Sequence, residues 1–266
     1  MRVLPPLTRL SCLTVTLAAL ALVGLAGSPA HANPRALPFT YPYATLPCGG
    51  FEMEQYLDAI PLQVTRTLPA GGTEKVTTLA FQLQTEFELG LTDRLELGAY
   101  LVFDQPAAAE RPALGFKGSK QRLRYRFAEA GQWPVDLAVY FEVVEFRDEI
   151  ELEQKVILGK RFGKLNTMAN LTLEQEYEWL GEAEIEAIFA PSGGATYDVS
   201  PSVTVGAEYW GNLYDGYRHY AGPTAMFQKG DVWMSGGVYA RLDDQDPALG
   251  DPYGRLWIRL LGGVGF

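Results

Sequence analysis

Residues 79–104 read LAFQLQTEFELGLTDRLELGAYLVFD and contain two stretches in which apolar and polar residues alternate. In the first stretch Leu83, Phe87 and Leu89 occupy odd positions, and glutamines and glutamates lie among them at even positions. The alternation resumes at Leu95, after the turn residues GLTDR. A period of two predicts β-strands. A soluble sandwich would bury the apolar face, whereas a membrane barrel would turn it to lipid and line its lumen with the polar face.

Twelve alternating segments follow one another from Gly49 to Phe266, separated by turn residues. Several exceed the five or six residues usual in soluble strands and suit the roughly 9–11 residues that cross a bilayer at a tilt. The eighth is predicted as one strand from Ala183 to Asp198, and TLPAGGTEK, residues 67–75, as a loop. An even count with alternating short and longer connections is typical of bacterial barrels. We therefore predict an all-β fold, a transmembrane antiparallel up-and-down β-barrel of about twelve strands, at residues 49–266.

Aromatic residues mark both ends of the predicted strands. One set comprises Tyr125, Phe127, Trp133, Phe162 and Tyr197, and the other comprises Tyr177, Trp179 and Tyr209. Aromatic rings with a polar edge favour the boundary between lipid and water, and girdles of such residues flank the apolar band of membrane barrels. The two sets therefore favour the membrane barrel, with its glutamates facing the lumen and its leucines facing lipid.

The last segment, GRLWIRLLGGVGF, ends at Phe266 with Val264, Leu260 and Ile258 on the same face. This pattern resembles the closing strand of Gram-negative outer-membrane β-barrel proteins, which typically ends in Phe after alternating apolar residues. The resemblance implies an outer-membrane location, lipid contact, and recognition of these four residues by the barrel-assembly machinery. In size the chain is similar to the twelve-stranded group, which includes porins for acidic sugars, nucleoside channels and a phospholipase.

The first 32 residues predict a secretory signal peptide. Arg2 and Arg9 precede the apolar run LTVTLAALALVGLAG, and small residues at Ala30–Ala32 supply a cleavage site. The predicted mature chain begins at Asn33. Removing both arginines takes the net charge from −10 to −12, which argues against a nucleic-acid partner.

Residues 33–48, NPRALPFTYPYATLPC, contain four prolines and end at the one cysteine that remains after cleavage. Proline cannot donate to a β-ladder, so this segment is predicted to be an extended lead-in. It either remains a periplasmic tail or folds back into the lumen as a plug. A single cysteine, Cys48, allows no internal disulfide and is interpreted as a tolerated residue.

The parity of each segment assigns charged residues to the predicted lumen. These candidates are Glu86, Glu88, Glu96, Arg122, Arg124, Arg126, Glu142, Glu151, Glu153, Glu174, Glu176, Glu184, Glu186, Glu208, Arg241 and Arg259. Eight strands give an interior that side chains fill and sixteen leave an aqueous channel, so twelve lie between these cases. We predict a narrow pore for passive passage of small polar or charged solutes. The alternative is a closed structural or binding barrel whose lumen is filled by ion pairs.

The ion preference of such a pore stays open from the sequence. Acids outnumber bases on the lumenal faces, which favours cations, whereas arginines stacked on one strand favour anions. We hypothesise that Arg122, Arg124 and Arg126 form the narrowest charged element, because rings of charge filter solutes.

An outer-membrane lipid-acting enzyme is a minor alternative. Nucleophilic catalysis needs a base beside a nucleophile, but His219 is the only histidine of the predicted mature chain, and no phospholipase motif surrounds it. The acidic loop DDQDPALGD, residues 243–251, offers oxygen ligands but lacks EF-hand spacing. We therefore predict no enzymatic activity, cofactor or metal.

Overall fold

The computed structural model describes residues 32–110, 112–147, 149–178, 184–214, 217–243 and 252–266. These residues form thirteen strands. The strands are β1 (Phe51–Thr67), β2 (Thr73–Gly90), β3 (Leu95–Gln105), β4 (Gly115–Arg126), β5 (Asp136–Phe146), β6 (Glu149–Phe162), β7 (Leu165–Glu178), β8 (Glu184–Phe189), β9 (Ser192–Ser200), β10 (Val203–Asn212), β11 (Arg218–Lys229), β12 (Val232–Arg241) and β13 (Leu256–Gly265). Within the described ranges, no helix has the length and apolar character needed to cross a membrane.

The strands close into a twelve-position antiparallel barrel. Strand β1 pairs with β2 on one side and with β13 on the other, so the first and last strands complete the ring. Strands β8 and β9 share one position, because both pair with β7 in the same register, Leu173 opposite Phe189 and Leu165 opposite Tyr197. The structure confirms the predicted fold class.

The eighth position is interrupted, so the prediction of one unbroken strand from Ala183 to Asp198 is wrong in this detail. The ladder stops at Ala190 and Pro191, since proline has no N–H to donate. Two hydrogen bonds hold the break in place: the Ala190 N–H donates to the Thr172 carbonyl at 3.0 Å, and the Gly211 N–H to the Pro191 carbonyl at 2.9 Å.

The β1–β2 hairpin continues beyond the barrel wall. Its strands run to Thr67 and from Thr73, so the predicted loop is strand at both ends and only its middle, residues 68–72, forms the turn. Pairing of β1 with β13 reaches Ala59, and pairing of β2 with β3 begins at Phe81. Within the described strand pairing, residues 62–78 therefore pair only with one another, in the β1–β2 hairpin.

The two faces of the wall differ as the alternation predicts. Leucines such as Leu101 and Leu123 are 43% exposed on the outside, whereas Glu86, Glu96 and Arg122 are at most 1% exposed inside. A continuous exposed apolar surface of this kind marks contact with lipid or protein. The leucines thus form the outer band and the glutamates the lumen.

We call the barrel end that carries Phe266 the C-terminal rim, and the opposite end the distal rim. The outer surface near the C-terminal rim exposes the predicted aromatic residues Tyr125, Phe127, Trp133, Phe162 and Tyr197, each by at least 36%. Near the distal rim Tyr177 and Tyr209 are half-buried, and Trp179 lies outside the described residues.

Candidate functional site

Residues 33–47 lie inside the barrel, and we call them the lumen segment. Both of its ends are at the C-terminal rim: Asn33 contacts Glu52 near the start of β1, and the Pro47 carbonyl accepts the Gly50 N–H at 2.9 Å. Its middle reaches Glu208, about halfway along β10. The segment therefore enters the lumen and returns to the same rim.

Lumenal carboxylates hold the backbone of the lumen segment. The N–H groups of Phe39 and Thr40 donate to Glu208 Oε1 at 3.0 and 2.7 Å. On the far wall, the Leu46 N–H donates to Glu96 Oε2 at 2.7 Å. Buried N–H groups need acceptors, and hydrogen bonds to charged acceptors are the stronger kind. Glu208 and Glu96, both predicted to face the lumen, thus accept backbone hydrogen bonds from a segment whose prolines prevent it from pairing as a β-strand.

Aromatic rings hold Phe39 at the middle of the lumen segment. Its ring stacks on Trp210 at a centroid distance of 4.5 Å and meets the edge of Tyr239 at 5.0 Å. The Arg259 guanidinium lies 3.8 Å from the Phe39 ring centroid and is paired with Asp58 at 2.7 Å. Strands β10, β12 and β13 therefore grip the segment from one side.

Tyr41 and Arg35 fill the centre of the lumen. The Tyr41 hydroxyl lies 2.8 Å from the Tyr100 hydroxyl, and the Arg35 guanidinium lies 3.8 Å from the Tyr41 ring centroid. Arg35 also donates to the Tyr56 hydroxyl and lies 3.4 Å from Glu54. The segment thereby carries its own cation into an acidic part of the barrel.

Arg122 is the centre of a buried ion-pair network on β2, β3 and β4. Its guanidinium contacts Glu86 at 2.7 Å, Glu96 at 2.6 Å, and Glu88. Gly98 lies opposite Arg122 on β3, and an added Cβ there would be 2.6 Å from Arg122 Nε. The missing side chain lets Arg122 cross β3 and reach the carboxylates on β2.

The other two arginines of the predicted ladder have separate partners. Arg124 contacts Glu96 at 2.6 Å and donates to the Pro42 carbonyl at 3.2 Å. Arg126, nearer the C-terminal rim, donates to Thr45 Oγ1 and to the Asp93 carbonyl, both at 2.9 Å. Arg124 and Arg126 therefore donate directly to the lumen segment, whereas Arg122 connects the strands beside it.

The remaining predicted lumenal acids lie toward the distal rim. Glu142 pairs with Lys120 at 3.2 Å, and Glu153 pairs with Lys155 at 2.7 Å. The partly exposed lumenal acids here are Glu151, Glu174, Glu176 and Glu186. The side chain of Glu184 lies outside the described residues.

Arg241 and Asp243 form an ion pair at 2.8 Å at the end of β12. Asp243 opens the acidic loop, whose other aspartates, Asp244, Asp246 and Asp251, lie outside the described residues. His219, at the start of β11, lies with Nδ1 2.8 Å from the Tyr209 hydroxyl.

The C-terminal residues of the predicted assembly signal lie on the outer face of β13. Leu260 is 48% exposed, and Ile258 and Val264 are partly exposed. Phe266 is 60% exposed, its N–H donates to the Phe51 carbonyl at 2.8 Å, and its ring lies 5.8 Å from that of Phe51. These residues therefore border the seam between β1 and β13.

Two lumenal cavities lie on either side of the lumen segment. The cavity at the C-terminal rim measures about 900 Å³ and is lined by Thr40 and Pro42, among others. The distal cavity measures about 260 Å³ and is lined by Phe39 and Tyr41. Arg35 lines both. The middle of the segment therefore separates the two volumes.

The charges lining the cavities differ from those of the buried network. The distal cavity carries Arg35, Lys120, Lys155 and Arg259 against Glu142, Glu153 and Glu174. Arg122 and Arg124 line neither cavity. At the C-terminal rim, burial raises the pKa of the Tyr43 phenol, which lines the larger cavity.

Several lumenal residues were not predicted from the sequence. Glu52, Glu54 and Asp58 face the lumen from β1, and the even positions of GFEMEQYLDA carried that signal. Arg35 and Phe39 gave no periodic signal, because the lead-in is not a strand. Aromatic rings such as that of Trp210 also face the lumen, on the same side of the wall as the charged residues.

No protein-family model matches the sequence, and no curated protein is significantly similar to it. Among solved structures, an outer membrane channel from Pseudomonas putida F1 is similar with a TM-score of 0.58 and 12% identity, covering 89% of this chain and all of that one. The P. putida toluene transporter TodX is a weaker match, with a TM-score of 0.44, 9% identity, and coverage of 81% and 88%. At this identity the first likeness shows the fold alone, a β-barrel similar to that of the outer membrane channel.

Proposed function

We propose that the protein is an outer-membrane channel, a narrow pore for passive passage of small polar or charged solutes. The observation that carries this proposal is the pair of lumenal cavities, one toward each rim, separated by the middle of the lumen segment. A barrel filled along its whole length by side chains would lack such volumes. The lumen segment would then set the width of the path.

The cavity linings support the solute class. The distal cavity combines aromatic rings with four cations and three carboxylates, a lining that accepts small polar or charged molecules. The similar Pseudomonas structure is named an outer membrane channel, which is consistent with this role.

The alternative is a closed barrel with a structural or binding role. It is favoured by the burial of the lumen segment, in which Leu37 and Leu46 are at most 1% exposed. The ion pairs around Arg122 are likewise sealed from solvent. In this case the segment is a permanent part of the core.

Single-channel recording in planar bilayers distinguishes the two functions. We expect small, steady currents from the mature chain and a several-fold larger conductance from a chain that lacks residues 33–46. Residues 33–46 take no part in the described strand pairing, so the shortened chain keeps every strand of the wall. A matched control replaces Glu110, in the exposed β3–β4 connection, with Gln and should leave the conductance unchanged.

Silence from the folded mature chain with current from the shortened chain would establish the closed barrel. Silence from both folded chains would mean that side chains alone fill the lumen, and would overturn the channel. A heat-modifiable shift on gels verifies folding in each case.

The same proposal covers location and partners. Residues 1–32 would direct export, the exposed leucines would contact outer-membrane lipid, and the closing strand ending at Phe266 would be read by the barrel-assembly machinery. The proposed role is passive passage and not enzymatic catalysis.

A further inference from the structure

An acidic pocket lies beside the first residue of the lumen segment. Glu52, Glu54 and Glu88 each place one carboxylate oxygen within 4.8 Å of the others, and each is at most 1% exposed. Among the described residues, Glu54 Oε1 and Glu88 Oε2 have no hydrogen-bond partner. Burying charged oxygens without partners is costly, so the pocket points to a cation.

The surrounding charges do not balance. The three glutamates join Glu86 and Glu96 to make five carboxylates, whereas three guanidinium groups, those of Arg35, Arg122 and Arg124, contact the group. With all five carboxyl groups ionised, two formal negative charges are in excess. Because buried like charges repel strongly, an additional cation would stabilise the pocket.

The backbone nitrogen of Asn33 contacts one carboxylate of this pocket. It donates to Glu52 Oε2 at 2.7 Å, while Glu52 Oε1 accepts the Trp233 indole N–H at 2.5 Å. Asn33 directly follows Ala32, where the signal peptide is predicted to end. In the uncleaved precursor this nitrogen is a neutral amide with one hydrogen.

Cleavage changes the chemistry of this nitrogen. Hydrolysis breaks the Ala32–Asn33 C–N bond, the water hydroxyl goes to the Ala32 carbonyl carbon, and its proton goes to the Asn33 nitrogen. The released α-amine ordinarily has a pKa of about 7.7–8.0, so near neutral pH it takes up the proton that the new carboxyl group loses. An ammonium with three N–H donors then replaces the single amide donor.

We propose that the α-ammonium of Asn33, created by cleavage after Ala32, is the cation bound by Glu52, Glu54 and Glu88. The hydrogen bond to Glu52 becomes a buried ion pair, and the two added N–H groups give neighbouring carboxylates donors that an amide lacks. Maturation of the chain would thereby pin the lumen segment in place. The anchor requires the segment inside the lumen and does not depend on conduction.

The first experiment measures the amine directly. Intact mass of the exported protein should give Asn33 as the first residue. Acetylation of the α-amine at neutral pH, followed on the N-terminal peptide by mass spectrometry, should be at least about tenfold slower in the folded barrel than in urea, a factor equivalent to about 1.4 kcal/mol of protection. A different first residue, or equal rates, would overturn the proposal.

The second experiment separates ion pairing from simple burial. One glycine added before Asn33 moves the ammonium by about 3.8 Å and returns the Asn33 nitrogen to an amide. Glu52→Gln should lower the heat-modification temperature by several degrees in the mature chain and by much less in the glycine-extended chain, since contacting groups are coupled. Glu110→Gln should change neither chain.

Equal effects of Glu52→Gln in both chains would contradict the proposed ion pair. If Glu52→Gln does not fold, Glu54→Gln replaces it in the same comparison, and the acetylation of the wild-type barrel stands without either variant. Stabilisation of the mature barrel by calcium and destabilisation by a chelator would assign the pocket to a metal, and would also overturn the proposal.

Discussion

At the scale of single residues, the lumen is organised by charges that are buried and paired. Arg122 contacts three carboxylates and is itself at most 1% exposed. Taking such charges out of water is costly, and the cost is offset only when the partners are well placed. Removing one member of this network is therefore expected to reduce the stability of the barrel more than removing one partner of a surface ion pair.

Replacing Arg122 with Met should destabilise the folded barrel strongly, because Glu86, Glu88 and Glu96 would lose a shared cation. Removing one partner of a buried pair typically costs about 3–5 kcal/mol. Urea titration of the barrel in detergent measures the change. Arg66→Met is the matched control, since Arg66 pairs with Glu74 at the exposed tip of the β1–β2 hairpin, where pairs are worth at most about 1 kcal/mol. Equal destabilisation by both variants would contradict this interpretation.

At the scale of strands, the β1–β2 hairpin is separable from the wall. Residues 62–78 pair within the hairpin, with Val64 opposite Val76. Replacing residues 65–75 with Asn-Gly, which favours the tight turn of a two-residue hairpin, should leave both heat modification and conductance unchanged. A loss of either would show that the projecting tip supports the barrel or its pore.

The elements show what the sequence could predict and what it could not. The alternation of apolar and polar residues predicted the strands of the barrel wall. A shift of one residue in the pairing would turn the polar side chains to the outside, so the pattern also restricts the register. It could not predict that Pro191 interrupts the eighth position without shifting the register, or that β1 continues to Thr67. The position of residues 33–47 was also left open, because their contacts are made across the lumen by single side chains such as Glu208.

The candidate lumenal charges were assigned by parity, and their partners came only from the structure. Arg122 and Arg124 share β4, yet one reaches across Gly98 to β2 and the other bonds the Pro42 carbonyl. Such pairing depends on cross-strand neighbours and on a missing side chain, which one strand's sequence does not reveal. The hypothesis that this ladder filters ions remains a prediction, and the two arginines do not line the described cavities.

At the scale of the whole molecule, the proposed role of Phe266 in assembly can be tested separately from its contribution to the stability of the folded barrel. Its ring is 60% exposed and packs on Phe51, so Phe266→Ala should reduce the amount of barrel assembled in cells several-fold while the refolded protein keeps its heat-modification temperature. Phe227→Ala, which removes another ring that is 53% exposed, is the control for lost lipid contact. Equal cellular yields of the two variants would count against an assembly role.

The return of the lumen segment to the rim where it began has a topological consequence. Because Asn33 and Pro47 both lie at the C-terminal rim, the segment can enter the lumen as a loop and need not be threaded through the ring. The wall can therefore close first and be filled afterwards. A force applied to the N-terminus of the mature chain from the C-terminal rim would remove the segment by the same path. Its contacts would break one after another, and no pairing between strands would be lost.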